Sequence, residues 1–101
     1  MKKIRHFLNL DELSKKDIHE IVYHSHKLKK NYGKVSLKKK KILAMIFEKP
    51  STRTRVSFEV GMKKINGEVV ILDQNDTQLA RGESLGDTIK VLSRYVDIIM
   101  Y

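Results

Sequence analysis

Hydroxyl and guanidinium side chains alternate over one short stretch of the chain, Ser51-Thr52-Arg53-Thr54-Arg55. The stretch stands between an apolar run and a segment with helical spacing. A strand that turns into a helix presents free backbone N–H groups and the positive end of the helix dipole at one point. Hydroxyls and a planar guanidinium beside those groups would bind an anion, most naturally phosphate. The pattern therefore predicts an anion site at residues 51–54, although an ordinary capped helix with solvated arginines fits the same residue types.

The two arginines of this stretch are predicted to have different roles. On a helix Arg53 and Arg55 would lie about 200° apart, so they would not reach the same group. Arg53 can offer its fork to a phosphate. Arg55 stands four residues before Glu59, a spacing that favours an ion pair supporting the helix.

The charge balance favours an anionic partner, because the net charge is +9 and the sequence pI is near 9.8. Much of the excess is lysine, including the run at residues 38–41, and such surfaces often serve only solubility. A small basic nucleic-acid-binding module stays open as an alternative, but no Arg-Gly repeat, zinc pattern or interleaved aromatics supports it.

The residue inventory also limits the chemistry. The chain has no cysteine, which excludes disulfides, thiolate metal sites and thiol catalysis. His24 and His26 would lie about 200° apart on a helix and would not easily share a metal, so no metal site is predicted. No apolar run approaches the roughly 20 residues that span a membrane. The first ten residues lack the apolar core of a secretory signal, and we expect a cytoplasmic protein.

Hydrophobic spacing predicts an α/β fold in which the anion site lies on the rim of a parallel sheet. Ligands of such sheets bind at the carboxyl ends of the strands. A last strand without a cap or turn after it suggests the front part of a longer protein, a partial domain over residues 1–101. The predicted elements are a helix over 15–32, a strand over 42–47, a helix over 52–66, a strand over 68–72, a loop over 73–83, a helix capped by Ser84 and a strand from Val96.

Local signals support these helices. Ser14 and Asp17 have the spacing of a capping box at the start of the first helix. In the second helix, four apolar residues are predicted to be buried, and in the third helix four share one face. These two sets are Val56, Val60, Met62 and Ile65, and Leu85, Ile89, Leu92 and Val96.

Two motifs resemble the carbamoyltransferase family. The segment Phe47-Glu48-Lys49-Pro50-Ser51-Thr52-Arg53-Thr54-Arg55, followed by Ser57-Phe58-Glu59, resembles the carbamoyl-phosphate signature of that family. The segments at residues 81–88 and 91–97 resemble its second conserved block. Their order and spacing match the family, and the resemblance covers nearly the whole chain as the amino-terminal half of a carbamoyl-phosphate domain.

Within that family, the residues before the core resemble the ornithine enzymes. Phe47-Glu48-Lys49 is similar to their pattern, whereas aspartate carbamoyltransferases tend to carry Phe-Phe-Glu. Arg81 also resembles biosynthetic ornithine enzymes, since the aspartate enzymes carry a lysine there. The aspartate enzyme, which acts in pyrimidine biosynthesis, is the nearest rival, and a biosynthetic or catabolic direction stays open.

The resemblance implies a reaction and a set of site residues. The δ-amine of ornithine would attack the carbamoyl carbon of carbamoyl phosphate, giving citrulline and phosphate in arginine metabolism. Ser51, Thr52, Arg53 and Thr54 would hold the phosphate, and Arg53 would act catalytically by neutralising it as it departs. Gln78 would reach carbamoyl phosphate in a neighbouring subunit of a homotrimer, while Arg81 receives no firm role. No cofactor is implied.

The resemblance also implies parts that this sequence does not contain. The family carries a further arginine after the third strand, a His-Pro-x-x-Gln segment, and a second domain that binds the amino acid. We therefore expect the 101-residue chain to be inactive alone.

Overall fold

The computed structural model describes residues 4–31, 34–73, 82 and 84–101. The chain forms two compact units, residues 1–32 and residues 33–101. No helix within those described ranges is both long and apolar enough to cross a membrane.

The first unit contains a short 3-10 helix, Leu10–Glu12, and the α-helix α1, Lys15–Lys30. The predicted capping box is confirmed: Asp17 N–H donates to the Ser14 hydroxyl at 3.0 Å, and Ser14 N–H donates to the Asp17 carboxylate at 3.2 Å. Lysines occupy the last turn, where cations suit the helix dipole. The predicted end at residue 32 lies outside the described residues.

The second unit confirms the predicted α/β architecture. Its elements are β1, Ile42–Phe47; α2, Thr52–Lys64; β2, Glu68–Asp73; α3, Leu85–Leu92; and β3, Ile98–Met100. The sheet has the order β2-β1-β3, and both pairings are parallel. Ile42 is paired with Glu68 and Phe47 with Asp73, so β1 and β2 end level with one another.

The core of the second unit lies on β1. Its four central side chains, Leu43, Ala44, Met45 and Ile46, are all at most 4% exposed. A continuous apolar run is what a parallel strand with both faces covered requires, and the predicted bounds of β1 agree with the structure. Burial of a side chain such as Met45 contributes about 1.5–3 kcal/mol.

α2 ends earlier than predicted, and part of its apolar set is exposed. The turn after it places Asn66 at φ 69°, and Gly67 N–H donates to the Met62 carbonyl at 2.7 Å. A methyl group at Gly67 would meet that same oxygen at 3.0 Å, so this position favours glycine. Val56 and Val60 are 49% and 40% exposed, because the main contact of α2 among the described elements is with β2.

Two further boundaries differ from the prediction. α3 ends at Leu92, so Val96 lies beyond the helical face assigned to it, and β3 begins at Ile98. Asp73 belongs to β2, and Gly82, with φ +91°, is the described residue of the loop that follows.

Acid should weaken the start of α1 through Asp17. Hydrogen bonding by Ser14, and then by Arg5 at 3.0 Å, lowers the pKa of this carboxyl from its ordinary value of 3.8. A lowered folded-state pKa means that the stabilisation is present above the unfolded value and is lost as the pH falls through the folded value. Asp17→Asn should remove this pH dependence, as measured by circular dichroism of the helix between about pH 5 and pH 2. An identical acid loss in the variant would contradict this assignment.

Candidate anion-binding site

The predicted site lies where β1 gives way to α2. β1 ends at Phe47, the chain bends at Glu48 and Lys49, and Ser51 occupies the N-cap position of α2. Because Phe47 is opposite Asp73, the carboxyl end of β2 lies on the same rim. The structure therefore brings Ser51, Thr52, Arg53 and Thr54 together at the rim that the sequence predicted.

The start of α2 differs from the starts of the other two described helices. In α1 the Ser14 hydroxyl accepts from Asp17 N–H, and in α3 the Ser84 hydroxyl accepts from Asp87 N–H at 3.1 Å. Ser51 stands at the same position, but its side chain makes no capping hydrogen bond. Its backbone, at φ −145° and ψ 77°, also departs from the extended conformation of the other two caps.

The first N–H groups of α2 are consequently available to a ligand. Arg55 N–H donates to the Ser51 carbonyl at 2.9 Å and begins the helical ladder. The N–H groups of Thr52, Arg53 and Thr54 precede that bond and have no partner among the described residues. Unpaired N–H groups of a first turn, together with the dipole, favour an anion.

The charges at the start of α2 also favour a bound anion. Its first turn contains no acidic residue, whereas both α1 and α3 carry an aspartate there. Instead, Arg53 and Arg55 place positive charge near the positive end of the dipole. A positive charge at this end lowers the stability of the helix, whereas a negative charge there would raise it by roughly 0.3–1 kcal/mol. A bound anion would reverse the sign of that contribution.

The predicted pair between Arg55 and Glu59 is wrong. Glu59 pairs with Lys63 instead, at 3.0 Å. A glutamate four residues before a cation is the more favourable order on a helix, and Lys63 is also nearer the negative end of the dipole. Arg55 is exposed and has no ion-pair partner within the described ranges.

The site is open to solvent over most of its extent. Ser51 is half-buried, and the residues from Thr52 to Arg55 are exposed. The Ser57 hydroxyl donates to the Thr54 carbonyl at 3.0 Å, and this bond ties the first turn of α2 to the second. Gln78 and Arg81 lie outside the described residues, and their predicted roles stay predictions.

One local signal was present in the sequence and was not used in the prediction. Each of the three described α-helices has a serine at its N-cap, and the residue three positions later is Asp17, Thr54 or Asp87. The two aspartates complete caps, whereas the threonine leaves the first turn without an acid. Comparison of these three starts would have singled out α2 as the unusual helix. No group of three or more potential metal ligands is found in the part of the chain that the structure describes.

Comparisons with known proteins show which family the chain resembles. Residues 5–101 match the family model described as "Aspartate/ornithine carbamoyltransferase, carbamoyl-P binding domain". The ornithine carbamoyltransferase of Rhodopseudomonas palustris (strain BisA53) is 50% identical over 104 residues, which cover 95% of this chain and 33% of that protein. The chain thus spans about a third of the length of such curated relatives.

Two solved structures show the same fold. The anabolic ornithine carbamoyltransferase from Campylobacter jejuni is 44% identical with a TM-score of 0.84, over 95% of this chain and 31% of that one. The catalytic subunit of M. jannaschii aspartate transcarbamoylase is 40% identical with a TM-score of 0.82, over 95% and 33%. The backbone similarity is therefore nearly the same to an ornithine and to an aspartate enzyme.

An aspartate at the third position of α2 should raise the stability of the chain and weaken anion binding. Thr54→Asp would place a carboxylate at the positive end of the helix and should stabilise the chain by about 0.3–1 kcal/mol. The same carboxylate would repel phosphate, so the rise in melting temperature caused by added phosphate should disappear. The matched control is Asp87→Thr in α3, which should lower stability and leave the phosphate response intact. A Thr54→Asp variant that still responds to phosphate would contradict the assignment.

Proposed function

The chain belongs to the aspartate/ornithine carbamoyltransferase family, and from that premise we propose that it forms the carbamoyl-phosphate-binding part of an ornithine carbamoyltransferase. The observation that carries this proposal is the start of α2, where three N–H groups and the side chains of Arg53 and Arg55 have no partner among the described residues. A doubly charged phosphate would find both donors and compensating charge there.

The proposed binding mode follows the direction of the donors. The N–H groups of Thr52, Arg53 and Thr54 hold the phosphate oxygens, and the Ser51 hydroxyl is free to donate because it is not engaged as a cap. Arg53 closes the site with its planar fork. We further propose, by the family resemblance, that Gln78 contacts carbamoyl phosphate in a neighbouring subunit of a homotrimer.

The proposed reaction transfers the carbamoyl group to the δ-amine of ornithine. The amine attacks the carbamoyl carbon and loses a proton, the bond from that carbon to the phosphate oxygen breaks, and phosphate leaves with the bonding electrons. Negative charge grows on the departing phosphate, and donors already in place stabilise it without reorganisation. Arg53 is the catalytic residue of this chain in that step.

Ornithine is proposed as the acceptor in preference to aspartate. The curated relative at 50% identity and the solved structure at 44% identity are ornithine enzymes, while the aspartate enzyme is 40% identical. Phe47-Glu48-Lys49 also resembles the ornithine pattern. By the family resemblance, the amino-acid site would be formed by the part of the relatives that this chain does not match. A cytoplasmic setting and a place in arginine metabolism belong to the same proposal, whereas the nucleic-acid alternative rests on net charge alone.

Replacement of Arg53 should weaken carbamoyl-phosphate binding specifically. Arg53→Gln removes a charge-assisted contact worth about 1.5–3 kcal/mol, which corresponds to roughly 10- to 150-fold in the dissociation constant. Arg55→Gln removes the same charge two residues away and should change binding by less than about threefold, because the helix places Arg55 about 200° from Arg53, away from the ligand. Isothermal titration calorimetry of both variants provides the measurement. Equal losses in the two variants would mean that net charge, rather than the fork of Arg53, binds the ligand.

The 101-residue chain should bind carbamoyl phosphate and yet form no citrulline. The first turn of α2 supplies donors and positive charge to the ligand, whereas transfer also needs a positioned amine, and positioning contributes much of the rate enhancement. A sensitive assay with saturating carbamoyl phosphate and ornithine, beside a full-length relative as positive control, checks this expectation. Citrulline formed by the purified chain would contradict it.

A further inference from the structure

The lysine run at residues 38–41 has partners at the amino end of the sheet, opposite the anion site. Lys40 Nζ lies 3.1 Å from a carboxylate oxygen of Glu68, the first residue of β2. Lys41 Nζ lies 4.0 Å from a carboxylate oxygen of Asp97, the residue just before β3. The second half of the run is therefore placed between two acidic residues, one on each side of β1.

Asp97 makes a closer set of contacts with the first residue of β1. Ile42 N–H donates to an Asp97 carboxylate oxygen at 2.8 Å, and Asp97 N–H donates to the Ile42 carbonyl at 2.9 Å. Asp97 thus satisfies both backbone groups of Ile42, one with its side chain and one with its main chain. These two hydrogen bonds join the segment after α3 to the start of β1.

The side chain stands where a regular parallel ladder would have a backbone acceptor. Strand N–H groups in such a ladder bond to carbonyls of the neighbouring strand. The chain before Asp97 still belongs to the turn after α3, because Tyr95 N–H and Val96 N–H both donate to the Leu92 carbonyl. The Asp97 carboxylate therefore supplies the acceptor at the point where the chain leaves the turn.

The apolar pattern of β3 does not determine how β3 aligns with β1. β3 has three residues, Ile98, Ile99 and Met100, and every one of them is apolar. A slip by one residue exchanges the two faces of a strand, and it is normally resisted because it would bury polar side chains. In β3 no polar side chain is available to resist it, so the alignment needs another determinant.

We propose that Asp97 is a positioning residue that fixes the register of β3 on β1 through its hydrogen bond with Ile42. The bond places Ile98 opposite Leu43 and Met100 opposite Met45. A slip by one residue would move β3 along β1 by about 3.3 Å. Asp97 thereby determines how far the end of β3 reaches toward the rim that carries residues 51–54. This inference is independent of the proposed function.

The hydrogen bond, rather than the ion pair with Lys41, carries the effect. The two charged groups are 4.0 Å apart, and their side chains are 47% and 42% exposed. Exposed pairs of this kind contribute about 0–1 kcal/mol, and they do not fix a geometry. An uncharged acceptor at position 97 should therefore retain the register, and removal of the Lys41 charge should not disturb it.

The test compares three variants of the chain by nuclear magnetic resonance: Asp97→Asn, Asp97→Leu and Lys41→Gln. The measured quantities are the cross-strand contacts between Leu43 and Ile98 and between Met45 and Met100, and the hydrogen exchange of the Ile42 amide. Asp97→Asn and Lys41→Gln should keep the native contacts and a protected Ile42 amide. Asp97→Leu should lose the native contacts and exchange the Ile42 amide about tenfold faster or more.

The results for the two Asp97 variants either support or overturn the proposal. Native contacts and native Ile42 protection in Asp97→Leu would overturn the proposal, as would their loss in Asp97→Asn. If Asp97→Leu does not fold, Asp97→Asn decides alone: native register and Ile42 protection support the proposal, and their absence refutes it. Because none of these readouts involves carbamoyl phosphate, failure here is distinguishable from failure of the proposed function.

Discussion

The structure of the second unit depends on the requirement that β1 be covered on both faces and hydrogen-bonded along both edges. Its four central side chains are apolar and at most 4% exposed, so exposing them to water would remove their hydrophobic contribution to folding. β2 and β3 supply the two edges. A strand held in this way delivers its carboxyl end, and the turn into α2, to a fixed place.

The residues at the start of α2 are suited to binding an anion rather than to stabilising the helix. A helix that served only the fold would be expected to carry an acid in its first turn, as α1 and α3 do. α2 carries arginines and an uncapped serine there instead. The stability lost at this helix start is small compared with the stability gained by burial of β1. The arrangement leaves N–H donors and positive charge exposed to solvent. Functional sites commonly retain such locally unfavourable arrangements.

Those features that depend on a few neighbouring residues were predictable from the sequence. The capping box of Ser14 and Asp17 and the bounds of β1 are local, because cap chemistry and an uninterrupted apolar run leave few alternatives. The position of residues 51–54 at a strand end followed from the order of the elements. The resemblance to the carbamoyltransferase family was confirmed by the match over residues 5–101.

Features that depend on a choice between partners were not predictable in the same way. Glu59 has a cation four residues away on each side, and the orientation on the helix selects Lys63 over Arg55. Helical spacing marked Val56 and Val60 as apolar, but their burial depends on what covers α2. The register of β3 could not be read from three apolar residues, and the contact of Asp97 with Ile42 is visible only in three dimensions.

Amide shift mapping during a titration with carbamoyl phosphate tests the claim that the first turn of α2 binds this ligand. We expect saturable changes, largest at the N–H groups of Thr52, Arg53 and Thr54, which have no described partner. The corresponding groups of Asp17 and Asp87, already bonded to their serine caps, should not shift. Changes that spread without saturation over the lysines at residues 38–41, with none at residues 52–54, would contradict the claim.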